Sequence, residues 1–66
     1  MKNLFDIINL LKRFGVYVYT GNRKDDIFLM ELEVKDLFDG GLLLKEDYLT
    51  ALLILRNESS GIEEKS

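Results

Sequence analysis

Apolar residues recur at helical spacing in three stretches of this chain, and glycine-bearing breaks separate the stretches. Leu4, Ile7, Ile8, Leu10, Leu11 and Phe14 fall at intervals of three and four, which gathers them on one side of a helix with Asp6, Asn9 and Arg13 opposite. Asn3 is a good cap, Asp6 lies near the positive helix end, and Gly15 supplies the left-handed residue that ends helices. The spacing predicts a first helix over about 4–14. Val16-Tyr17-Val18-Tyr19 then alternates β-branched and aromatic residues, a pattern of low helix propensity. The one run able to pair with it, Leu42-Leu43-Leu44, is too short for more than a few residues. The stretch 16–20 therefore reads as an extended connector, valines inward and at least one tyrosine partly exposed.

Thr20-Gly21-Asn22 is a turn, and Asn22 with Asp25 three residues later opens a second helix over about 23–39, stopped by Gly40-Gly41. Ile27, Met30, Val34, Leu37 and Phe38 line one face of it. Phe28, Leu29 and Leu32 fall on the other side, among Asp25, Asp36 and Asp39, as a second apolar patch that three-helix packing does not need. A third helix follows over about 45–57, with Glu46 and Asp47 in its first turn. Tyr48, Leu49 and the run Ala51 to Leu55 make it apolar nearly all round, so it is buried centrally or by a partner. Residues 58–66 hold one apolar side chain, Ile62, and read as a disordered acidic tail. The pattern predicts an all-α, compact three-helix array forming one domain over 1–57.

Size sharpens this picture. A chain of 66 residues buries only about 60% of the surface that its unfolded form exposes. Small domains add disulfides, metals or subunits to compensate. Absence of Cys and His removes disulfides and His/Cys metal clusters. Dense packing or self-association remains, and thirteen leucines with five isoleucines supply the means for both. An acid within the first apolar segment argues against a secretory leader. The longest apolar run, Ala51–Leu55, is far short of the roughly 20 residues of a membrane span. A cytoplasmic protein without membrane contact, cofactor or metal is expected.

Charge is unevenly placed. The net charge is −3. Residues 1–24 carry five bases against one acid, residues 25–56 three against eight, and residues 57–66 one against three. Such segregation marks an interaction surface, or two halves of one fold attracting each other.

Several stretches together resemble the YqgQ family: Leu10-Leu11-Lys12-Arg13-Phe14-Gly15, Tyr19-Thr20-Gly21-Asn22-Arg23, Leu29-Met30-Glu31, and Ala51-Leu52-Leu53-Ile54-Leu55-Arg56. Phe-Gly followed by Tyr-Thr-Gly is the most specific part. The resemblance covers roughly residues 4–56. It implies a compact three-helix fold and the bacterial cytoplasm, and it transfers no catalytic residues, since the family's function is uncharacterised.

Catalytic equipment is sparse. There is no His for proton transfer near neutral pH and no Cys nucleophile, and Ser59, Ser60 and Ser66 all lie in the tail. The carboxylates of the second helix suit a solvated face better than an acid–base pair or a hard-cation site. The chain reads as a non-enzyme. Gly21-Asn22-Arg23-Lys24 opens a helix whose free N–H groups attract anions, although Asn22 as a plain cap is the simpler account. Lys12, Arg13, Arg23 and Lys24 bracket Tyr17 and Tyr19, the ingredients of a weak, salt-sensitive single-stranded nucleic-acid site in which bases stack on rings.

Two functional expectations follow. The first is a binding or regulatory module that acts through a protein partner or as a homo-oligomer, using Phe28, Leu29, Leu32, Leu53 and Ile54. The alternative is nucleic-acid or phosphate-ligand binding through Lys12, Arg13, Tyr17, Tyr19, Asn22, Arg23 and Lys24.

Overall fold

In the computed structural model three helices follow one another: α1 (Leu4–Arg13), α2 (Arg23–Asp39) and α3 (Lys45–Lys65). Backbone is described for residues 1–65 and side chains through Ser59. Each helix start can be traced to a local cause. Asn3 Oδ1 accepts the Asp6 N–H at 3.1 Å, and the Asp6 carboxylate accepts the Lys2 N–H at 2.8 Å. At α2 the same device recurs, with Asn22 Oδ1 accepting the Asp25 N–H at 3.2 Å. α3 lacks it. Leu44 stands at its cap, offering only a carbonyl to the Tyr48 N–H, so Glu46 and Asp47 in the first turn carry the electrostatic part alone.

Two helix ends share one geometry. Gly15 has φ +78° and Gly41 φ +76°. Around Gly15 the Val16 N–H reaches back to the Leu11 carbonyl and the Gly15 N–H to that of Lys12. Around Gly41 the Leu42 and Gly41 N–H groups do the same to Leu37 and Phe38. This pairing satisfies the last helical carbonyls and requires a left-handed residue. At the end of α2 it is Gly41 that adopts it, while Gly40 stays at φ −80°.

The first helix ends at Arg13 rather than 14, because Phe14 is already the cap residue, and its ring is exposed rather than part of the apolar face. α3 continues to Lys65, eight residues beyond the expected boundary at 57. No proline interrupts it, and Glu58 finds a partner in Arg23 at the start of α2. Side chains from Ser60 onward, and Ser66 entirely, lie outside the described residues, and with them most side chains of the expected acidic tail 58–66.

The core is a single cluster. Ile7 and Leu11 come from α1, Ile27, Met30, Val34 and Leu37 from α2, Ala51 and Leu55 from α3. α2 and α3 run antiparallel as the main pair: Phe38 stacks on Tyr48 at one end, centroids 4.4 Å apart and rings 3° from parallel, and Arg23 meets Glu58 at the other. No strand forms among the described residues, so residues 16–19 and 42–44 do not pair. The connector 16–20 is extended, with Val16 and Val18 packed on the core.

Candidate functional site

The connector delivers its tyrosines to solvent. Alternation along extended backbone sends successive side chains to opposite sides, so with the valines on the core Tyr17 is 74% and Tyr19 88% exposed. Beside them a cleft of about 290 Å³ is lined by Ile8, Leu11, Lys12, Met30 and the connector itself. A neighbouring cleft of about 310 Å³ adds Gly21, Arg23 and Asp26 on the other side of Val18 and Tyr19. Lys12, Tyr17 and Tyr19 are thus brought together, and Tyr19 with Arg23.

The remaining bases go elsewhere. Arg13 lines a separate cleft of about 360 Å³ with Asp6, Asn9 and Asp47, among acids rather than rings. Arg23 is held by Glu58. Lys24 is exposed and lines none of these three clefts. Asn22 serves the cap. The negative charge that the α2 N-terminus favours comes from the chain itself, in Asp25 and Asp26.

A contact that sequence reasoning missed fixes this corner. Asp26 Oδ1 accepts both the Thr20 N–H and the Thr20 hydroxyl at 2.7 Å, and the Thr20 hydroxyl oxygen accepts the Asn22 N–H at 3.2 Å. A Thr and an Asp six residues apart around a Gly-Asn turn were the available signal. Gly21 at φ +85° lets the chain turn within that loop.

The apolar candidates separate as well. Phe28 is 61% exposed and Leu53 64%, with Leu29 and Leu32 also at the surface. Ile54 is not among them: it packs partly buried against the core, because it sits on the inward flank of α3 near Ala51 and Leu55. Phe5 on α1, which the periodicity did not single out, is 66% exposed. Among the described residues no three acids converge into a metal-sized cluster, and no helix is long and apolar enough to cross a membrane.

The comparison with known sequences bears on the whole of this fold. A family profile described as YqgQ-like matches residues 1–60. The chain belongs to the YqgQ-like family. A relative from Bacillus subtilis (strain 168), called "Uncharacterized protein YqgQ", is 38% identical over 58 residues, which cover 88% of this chain and 82% of the relative. The profile's span takes in α1, the connector, α2 and most of α3, and so every candidate residue above.

Proposed function

We propose that this YqgQ-like chain is a small binding or regulatory module without a catalytic step, and that it works by associating with protein through the outward apolar residues of α2 and α3. One observation carries the reading: Phe28, Leu32 and Leu53 stay well exposed although the core beneath them is complete. Covering each of these half-exposed side chains yields about 1–2 kcal/mol at the usual coefficient for apolar area. Phe28 and Leu32, one turn apart on α2, support a modest, reversible contact, and Leu53 offers a second point on α3. A photo-crosslinking residue at Phe28 or Leu53 tests it. Protein adducts are expected at both positions in cells and not at Lys45, and their absence at both rules the reading out.

The nucleic-acid reading keeps one favourable observation, the exposed Tyr17 and Tyr19 rings beside Lys12. Against it, Arg13 sits among acids and Arg23 is engaged by Glu58, which leaves few charges to follow a phosphate backbone. A low-salt titration with single-stranded oligonucleotide decides it: quenching of tyrosine fluorescence that salt abolishes supports stacking, and a flat trace ends it.

A further inference from the structure

The two clefts beside the connector are parts of one trough, for they share Ile8, Val18, Tyr19 and Met30 in their linings. α1 contributes Leu4, Ile8, Leu11 and Lys12 to it, at spacings of three and four that keep them on one side of the helix. From Leu4 to Lys12 is about 12 Å along the helix axis. Leu4, Ile8, Val16 and Val18 pack on the core yet stay only half-buried. The trough is therefore elongated and mostly apolar, the usual character of a small-molecule site, which needs only a few polar groups to fix orientation.

Charge decides which way a ligand lies. Toward one end the lining holds a single charged group, the Lys12 ammonium, and no carboxylate. Its neighbours three and four residues away, Ile8, Asn9, Gly15 and Val16, are uncharged. Among the described residues the one ion pair is Arg23 with Glu58, so Lys12 has none. The carbonyls that end α1 are taken as well: that of Leu11 accepts the Phe14 and Val16 N–H groups, and that of Lys12 the Gly15 N–H. At the other end Arg23 and Asp26 are both engaged, Arg23 with Glu58 and Asp26 with Thr20. The cleft around Arg13, by contrast, also holds Asp6 and Asp47. One uncompensated cation at one end of an apolar trough matches an amphiphile with one negative charge at one end. A lone ammonium is a point charge without the fork of donors that grips phosphate, so it suits a monoanion.

We infer that the trough binds a free medium-chain aliphatic carboxylate, its chain along Ile8, Val18 and Met30 and its carboxylate on Lys12, beside the Tyr17 and Tyr19 rings. This site goes beyond the association reading. It uses none of Phe28, Leu32 and Leu53, so either reading can fail without the other.

Titration with sodium octanoate, followed by NMR at low salt and below the micelle concentration, tests this. Saturable shifts are expected at Ile8, Val18 and Met30 and not at Leu53, which lies outside the trough. Hexanoate, octanoate and decanoate are expected to bind successively tighter, by about fourfold per added CH2. Octylammonium, of equal length and opposite charge, is expected to bind about tenfold more weakly than octanoate. Lys12→Gln is expected to remove that preference, and Lys12→Glu to invert it, which a merely destabilised protein does not do. The inference is overturned if wild type binds octanoate and octylammonium alike, or if the preference for octanoate survives in Lys12→Glu. Shifts as large at Leu53 as at Val18, affinity that ignores chain length, or no saturable shift at all overturn it equally.

Discussion

Gly15 shows how much one residue decides here. Its φ of +78° lies where an L side chain costs roughly 1–2 kcal/mol, while a Cβ built there meets no neighbour within 4 Å. The penalty of substitution is thus one of backbone alone. Gly15→Ala is expected to lower unfolding stability by about 1–2 kcal/mol in urea, and D-alanine at the same position to raise it, since a D residue prefers this region. Gly15 and the caps Asn3 and Asn22 were legible in the sequence because each acts on backbone within three residues. Thr20 with Asp26 was not, since that contact depends on where the turn points its hydroxyl. Arg13 was assigned to the tyrosines on proximity in sequence, but one further residue along α1 rotates it about 100° from Lys12 and into the company of Asp6 and Asp47.

At the scale of elements, the number of helices and the bounds of α2 followed from period and punctuation, and the end of α3 did not. Asn57 and the serines after it are poor helix formers, yet a helix already anchored by packing propagates at little cost per residue. Ile54 illustrates the same limit on a smaller scale. A helix apolar nearly all round gives no pattern from which to choose its inward side, so the division between core and surface on α3 had to come from packing. That packing concentrates on few positions. Leu55 is fully buried with Val34 and Ala51, and Leu55→Ala is expected to cost about 2–5 kcal/mol, a large share of the stability of a domain of this size. Loss of the far-ultraviolet helical signal at a lower urea concentration than in wild type checks it. Removing the charge at Arg23, by contrast, is expected to change unfolding stability by less than about 1 kcal/mol, as exposed ion pairs do.

At the scale of the molecule, a core of eight side chains among the described residues holds three helices of unequal duty. α2 and α3 form the scaffold, and α1 with the connector closes it on one side and presents aromatic rings there. The segregation of charge was plain from the sequence, and among the described residues its segments meet in the ion pair of Arg23 with Glu58 and in the cleft that Arg13 shares with Asp47. The tyrosines end up in two environments for the same topological reason. Tyr17 and Tyr19 stand in water on the connector, and Tyr48 lies flat on Phe38 where the α2–α3 hairpin turns. With no tryptophan to mask them, the three phenols act as built-in optical probes. Iodide is expected to extinguish the emission of the connector pair and spare the third, whose near-ultraviolet dichroism disappears only when the hairpin itself comes apart, so two stages of disassembly can be followed by light alone without any attached label.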